Sequence, residues 1–590
     1  MIGQIISGLL TVYCMSLIFR FIWNIRLARK TGLPYICLPI SEFNVLLYPL
    51  FDTEQAPKFV NNWIPRWLAD IINDNVINYR WAVRDRRVKE LGPVSLVVTP
   101  TSLSCNVADA AVVSQICSER RKFPKPVWQY EVLELYGPNL LTCEDTQWAH
   151  HRRHTATTFS ESNNNLVWRI AVQQTLEMTA HWKRRYRTLS NENELMVPSA
   201  KSDILKLTLN VICGAGFGVS LPFQPESRET ATDDITSLFK DTDTPPEGFT
   251  YTFRAVIEYM NSRLNTVVLA NMVFPKWIPR ILMPFFKSDF LAYEDLKHYL
   301  DGLIESSKRG KNRNNTHDLL QGIIQSQQKH GGLTDCEIIG NLHIFTIAGH
   351  ETTATTLRFA LVLLAMHPDV QEWLQDCVDE VIQDQPSDPK EWEYGVMFPR
   401  LIAPLCVMLE TLRLCPPVVT VPKWTASNPV PITHHDQTYM LPPKVNINLN
   451  ASALHYSKEY WGPEAAFFHP QRWDKSNPDS FLVANDGKKG LSAPGLEFDN
   501  IHKPVRGAFI PFSDGFRACV GKRFAQVEFI ATLAVIFSRY RVSLGKLKPE
   551  ESDDFVHRRA EKILNGSSTV LTLGMRYDVP LRFEARDNQG

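Results

Sequence analysis

Hydrophobic positions open the chain in an unbroken run. No charged side chain stands between Met1 and Phe19, and Ile5, Ile6, Leu9, Leu10, Val12, Tyr13, Met15, Leu17, Ile18 and Phe19 lead past Arg20 into Phe21, Ile22 and Trp23. A helix of about 20 apolar residues spans a bilayer core, so residues 1–30 are expected to form one transmembrane anchor. The stem of Arg20 can reach the interface, and Arg26, Arg29 and Lys30 form a basic flank that places the body of the chain on the cytoplasmic side. A cleaved signal peptide is the competing reading. Against it, the basic residues follow the apolar run, and no small-x-small site closes it.

Residues 31–92 read as membrane-proximal: Tyr35–Phe51 is apolar but broken by Pro39, Glu42 and Pro49, which suits a segment lying on the membrane surface. The β-branched run Val94–Thr99, bounded by Pro93 and Pro100, predicts a strand, and Ala108–Arg120 a helix. Helical segments follow to about residue 330, interrupted at Asp241–Gly248 and Lys308–Asn315. Thr334-Asp335-Cys336-Glu337 has the form of a capping box and opens a long helical pattern in Ile338, Leu342, Phe345, Gly349, Thr352 and Thr356. The apolar segment Leu405–Leu414 is stopped by Pro416 and Pro417; short apolar runs such as Val445–Leu449 and an irregular stretch, Asn477–Arg506, come next. A final helical pattern runs through Phe524, Val527, Ala531, Ala534 and Val535.

The 63 basic and 63 acidic residues balance, so no global field attracts nucleic acid. The 11 cysteines are scattered from Cys14 to Cys519 without C-x-x-C spacing, which argues for a reducing compartment and against a disulfide framework or zinc knuckle. No clean interdomain linker appears, and residues 93–590 are expected to form a single catalytic domain.

Candidate chemistry gathers around Phe512-Ser513-Asp514-Gly515-Phe516-Arg517-Ala518-Cys519-Val520-Gly521. Cys519 stands just before a helix start, where unpaired N–H groups and the macrodipole favour the thiolate that binds metals. Gly515 and Gly521 permit close approach of something large, and Arg517 adds a fixed cation, a set that suits a haem iron. An isolated cysteine is more often a small buried hydrophobe. In the long helix, Ala348-Gly349-His350-Glu351-Thr352-Thr353 places a carboxyl and an alcohol beside a glycine; they can move protons to bound oxygen, or pack as an ordinary helix with a back-bonded threonine. Glu410 and Arg413 lie three apart in an apolar segment and call for pairing, with Arg472 in Phe468-His469-Pro470-Gln471-Arg472-Trp473 as a third member of a structural network. Trp148 and Arg152, four apart, can turn two donors toward one carboxylate.

Taken in order, these motifs resemble the cytochrome P-450 superfamily of haem-thiolate proteins over most of the chain, with an amino-terminal anchor like that of microsomal members. The resemblance implies a mainly α fold with small β-sheets and haem b (iron protoporphyrin IX) between the long helix and the helix after the cysteine. It implies Cys519 as axial iron ligand, Arg517, Arg152, Trp148 and Lys423 on the haem propionates, Thr352 and Glu351 in proton delivery, and Glu410, Arg413 and Arg472 behind the haem. The implied reaction inserts one atom of O2 into a lipophilic substrate, a secondary-metabolite or lipid-like intermediate, using electrons from NADPH through a membrane-bound reductase. Lys522 and Arg523 are candidates for docking that reductase. The implied location is the endoplasmic reticulum membrane, with the catalytic domain in the cytosol. Phe345, Ala348, Gly349, Val418 and Val419 are candidates for an apolar substrate cavity, although core packing accounts for such residues equally well. Two departures, His350 and Leu409, fall where they do not disturb the assignment. Isomerases and dehydratases of the superfamily tend to lack the acid and alcohol, so Glu351 and Thr352 favour a monooxygenase; a membrane-anchored haem-binding protein is the alternative from another class.

Overall fold

Helices carry most of the described chain: α1 Ile2–Thr31, α2 Ala110–Ser118, α3 Asp145–Thr155, α4 Glu161–Arg185, α5 Lys201–Val211, α6 Asp335–Met366, α7 Ile402–Leu414 and α8 Lys522–Phe537. The computed structural model describes residues 2–38, 60, 62–66, 69, 80–188, 191–224, 236–239, 244–263, 266–267, 286–309, 318–327, 331–477, 500–569 and 572–586. Most of Tyr35–Phe51, the middle of Asn477–Arg506 and parts of the two interruptions upstream of residue 330 lie outside those residues. Helix starts follow side-chain chemistry. Asp109 accepts from Val112 N–H ahead of α2, and Ser160 from Asn163 N–H ahead of α4. Thr334 and Glu337 close the expected capping box ahead of α6 by reciprocal hydrogen bonds.

The described chain divides into two compact units, each drawn from separate stretches of sequence. The first comprises Met1–Pro126, Leu409–Cys519 and Lys562–Tyr577. Its strands are β1 Tyr35–Cys37, β2 Val94–Val98, β3 Leu103–Val107, β4 Thr420–Trp424, β5 Val430–His434, β6 Gln437–Leu441 and β7 Asn446–Asn450. A mixed sheet runs β1-β2-β3-β7-β4, and β5 and β6 form a separate antiparallel hairpin. Every residue of β2 is buried, Ser95 among four apolar ones, as in a strand covered on both faces. Tyr35–Cys37, at the start of the stretch expected on a membrane surface, pairs in parallel with Leu96–Val98, and the ladder satisfies its backbone groups.

Along α1, Leu9 is 67% and Phe19 69% exposed. Ser7–Thr31 is long and apolar enough to cross a membrane. Its last turn is different: Ala28 and Thr31 are buried, and Asn24 Nδ2 donates to the Thr99 carbonyl at 3.0 Å.

The second unit comprises Val127–Met408, Val520–Glu561 and Asp578–Gly590. Here α4 packs along α8, and α5 along α6. The indole of Trp182 donates to the Asp203 carboxylate at 2.8 Å, tying α4 to α5 inside the core. An antiparallel sheet of Tyr540–Leu544, Leu581–Ala585, Asn191–Val197 and Arg187–Thr188, in that order, completes the unit. The fold is mainly α with small β-sheets.

Candidate active site

In the first unit, Cys519 closes a tight loop: its N–H donates to the Phe512 carbonyl at 2.9 Å, and Ala518 N–H to Gly515 at 3.1 Å. Asp514, buried, accepts from Gly515 N–H with its side chain. Glycine is required at 515, where φ is +66° and an added Cβ would stand 2.4 Å from the Cys117 carbonyl oxygen at the end of α2. Gly507, with φ +90°, is required in the same way at the other end of that helix, where an added Cβ would collide with the Ala110 carbonyl oxygen. The approach to Cys519 is therefore laid along α2. The thiol itself is exposed, three residues before α8, whose cap residue Gly521 supplies no side-chain acceptor to the first-turn N–H groups. Lys423 is buried within β4, and Arg517 is half-buried in a short 3-10 turn over Gly515–Arg517.

The same unit brings Glu410, Arg413 and Arg472 together, all essentially without solvent exposure. Arg413 forks onto Glu410 with two hydrogen bonds of 2.8 Å, Arg472 Nε adds one at 3.1 Å, and Trp473 Nε1 and His469 N–H each add one at 3.0 Å. Burial alone would push the Glu410 carboxyl up; Arg413 and Arg472 override it and hold it at about 2. The guanidinium groups left over donate to backbone carbonyls, Arg413 to His455, Ala465 and Phe467, and Arg472 to Trp461, Glu464 and His469. His455 and Trp461 end the short helices Ala451–His455 and Lys458–Trp461, and the other carbonyls lie in turns or irregular chain; the arginines give them donors.

His455 connects this network to the cysteine loop, a role that sequence reasoning missed. Its Nδ1 lies 3.0 Å from the Arg413 carbonyl, and its Nε2 accepts from Ile510 N–H at 3.1 Å. A carbonyl only accepts, so Nδ1 carries the proton, and burial, with Arg413 nearby, holds the ring neutral by lowering its pKa to about 3. Phe509, next to Ile510, packs against His455, Trp461 and Trp473. His455→Ala strands a buried donor and a buried acceptor, each at a cost of about 1–3 kcal/mol. We expect the variant to lose stability on that scale and to give a smaller thiolate-type Soret band in its reduced carbon monoxide complex.

In the second unit α6 is buried over most of its middle, with one break: Ala348 is exposed and Gly349, Glu351 and Thr352 are half-buried. An open strip of one turn on an otherwise buried helix has room for a flat ligand. The Thr352 hydroxyl donates to the Ala348 carbonyl at 2.8 Å, and its lone pairs remain able to accept. His350 turns inward, its Nδ1 2.6 Å from the Thr346 carbonyl, and burial lowers its pKa to about 4. The glycine at 349 answers to packing: a Cβ there would meet Ile212 at 3.3 Å. Phe345 is buried edge-on to Phe159, their centroids 5.7 Å apart. In the first unit Val419 is buried and Val418 is 42% exposed.

Trp148 and Arg152 share one face of α3, with the Arg152 guanidinium carbon 5.7 Å from the indole centroid. Helix α3 is fixed to the start of α6 by His151, which takes a 2.8 Å contact from Asn341 and lies 3.4 Å from Glu337. Glu528, fully buried on α8, is another residue the sequence reading passed over. Burial raises its carboxyl well above the ordinary range, opposed by the Thr353 hydroxyl of α6. Both side chains belong to the contact between α6 and α8.

An accessible cysteine on a braced loop and a helix opened for one turn at an acid and an alcohol side chain are features of a haem-thiolate protein. The chain belongs to the cytochrome P450 family, whose sequence model matches residues 81–565. It is similar to a cytochrome P450 monooxygenase of Arthrobotrys oligospora, 28% identical with 98% of this chain and 97% of the relative covered. A cytochrome P450 monooxygenase of Postia placenta is 30% identical over 83% and 85% of the two chains. The phomenoic acid biosynthesis cluster cytochrome P450 monooxygenase of Leptosphaeria maculans is 24% identical over 94% of each. The protein is accordingly a haem-dependent monooxygenase that uses dioxygen, a lipophilic substrate and a redox partner, and not an isomerase or dehydratase of the same fold.

Proposed function

We propose that Cys519 ligates the iron of haem b, and that Arg517, Lys423, Trp148 and Arg152 hold its propionates. The observation that carries this reading is the exposed thiol at the end of a loop whose shape depends on Gly515 and on the hydrogen bond from Cys519 N–H to Phe512. The donor set fits the group: three cations and an indole N–H match two carboxylates, and a thiolate is a haem ligand. When bound, the haem supplies the iron at which dioxygen is activated. Thr352 then accepts and passes a proton at its Oγ1, held in place by its bond to Ala348, and Glu351 exchanges that proton with solvent. Glu410, Arg413 and Arg472 keep the backbone beneath the cysteine loop rigid.

Electrons come, in this reading, from an NADPH-dependent reductase. Arg523 lies over the Phe398 ring at 5.3 Å, and Lys522 and Arg523 are the docking candidates. Ser7–Thr31 crosses the endoplasmic reticulum membrane among its lipids, with Arg26, Arg29 and Lys30 on the cytosolic side. The substrate is a lipophilic secondary-metabolite or lipid-like intermediate, in line with the biosynthesis cluster named for the Leptosphaeria relative and with exposed Val418.

Incubation with reductase, NADPH and labelled dioxygen tests the reading. One labelled atom should enter the product, and Thr352→Ala should lower product formed per NADPH consumed by roughly 10²-fold, the lower end of what a positioned proton donor contributes. Glu351→Gln should lower it less. Product formed from a peroxide substrate without NADPH would overturn the reading.

A further inference from the structure

The hairpin β5–β6 ends in a cluster that the oxygen chemistry does not use. His434 pairs with Gln437 across a two-residue turn made of His435 and Asp436, both with positive φ, 45° and 62°. Such turns usually carry Asn-Gly. Here the turn presents two consecutive imidazoles beside Asp109, the residue that caps α2, and the rings of His434 and His435 lie 4.1 Å apart. Ligand atoms of Asp109, His434 and His435 all lie within 4.8 Å of one another.

Within the cluster, Nδ1 of His434 is shielded from solvent and lies 3.3 Å from Asp109 Oδ2, without the alignment of a hydrogen bond. Two ligands at about 2.0–2.1 Å on a tetrahedral zinc ion stand roughly 3.3–3.4 Å apart, so this spacing is that of one edge of such a site. The supporting contacts are also in place. Asp109 Oδ1 is held by Val112 N–H at 2.8 Å, which directs Oδ2 away from the helix. Gln115 clamps the hairpin to α2 from both ends of its amide, accepting from Thr433 N–H at 3.0 Å and donating to the Pro431 carbonyl at 3.3 Å. Fixed outer partners of this kind are what metal ligands require.

We propose that Asp109, His434 and His435 bind one divalent transition-metal ion of the zinc type, with solvent completing the coordination. Two imidazoles and a carboxylate are borderline donors that favour zinc over calcium or magnesium. The ion fastens the hairpin to the N-terminal end of α2, the helix whose other end braces Gly515 in the cysteine loop. A metal held there steadies the loop without touching it.

The test uses the full-length, haem-loaded protein without a histidine tag. Zinc is titrated calorimetrically, and each variant is compared after its haem content shows that it has folded. The wild type should bind one equivalent, and His434→Ala and His435→Ala should each weaken binding at least tenfold. Asp109→Asn, which keeps the helix cap, should do the same and serves if a histidine variant does not fold. Zinc-edge X-ray absorption should give ligands at about 2.0–2.1 Å without a sulfur shell near 2.3 Å. Unchanged affinity in the variants, no binding by the wild type, or a sulfur shell pointing to cysteine would each overturn the proposal.

Discussion

Cys519→Ser should remove the thiolate-type Soret band from the reduced carbon monoxide complex while leaving the fold in place. Serine keeps the N–H that donates to Phe512 and is close to cysteine in volume, so the loop braced on Cys117 has no reason to rearrange. What is lost is the charged sulfur. Turnover with reductase and NADPH should fall by more than the roughly 10–100-fold that an outer partner of a metal ligand typically costs. A variant that retains the band would place the ligand elsewhere in the chain, and the assignment of Cys519 would fail.

The second large effect belongs to Glu410. Glu410→Ala leaves Arg413 and Arg472 buried with no carboxylate between them, and removing one partner from such a group costs about 3–5 kcal/mol. That is a large share of the roughly 5–15 kcal/mol that holds a native protein together. Haem-containing protein should be scarce or absent on expression, and any that forms should unfold at markedly lower urea. Glu410→Gln keeps the shape and loses the charge, so it should fall between the two; if either variant matched the wild type in urea, the network would be dispensable. Acid gives an independent readout. The folded pKa of about 2 lies below the ordinary 4.5, so the stabilisation is complete above about pH 4.5 and disappears as the pH falls toward 2. Acid unfolding followed by near-UV circular dichroism should show this limb in the wild type and lose it in Glu410→Gln.

Local signals in the sequence carried much of this arrangement. Glu410 and Arg413 are three apart on one helix, Thr334 and Glu337 form a reciprocal cap, and Val94–Val98 is a run that only a covered strand tolerates, so each could be read from its own neighbours. His455 could not. Its two partners are 42 and 55 residues away, and a histidine within a short apolar run gives no sign of which carbonyl or N–H it will meet. Gly515 shows the same division: the residue type announces a turn, but the Cys117 carbonyl that makes any other residue impossible lies on a different element. Gly349 left a ligand groove and tight packing both open, and the Ile212 side chain it lies against belongs to a distant stretch of sequence. The pairing of Tyr35–Cys37 with β2 was not legible, because so short a stretch carries no information about the strand it joins.

The last turn of α1 bears on how the enzyme sits in a bilayer. With Ala28 and Thr31 buried, Asn24 bonded to Thr99 and Arg29 bonded to Tyr35, the end of the helix is tied into the first unit by packing and hydrogen bonds. In the proposed membrane placement, the inclination of that helix in the lipid would bear on the inclination of this unit, so that a thicker or thinner bilayer would change how the unit meets the lipid surface.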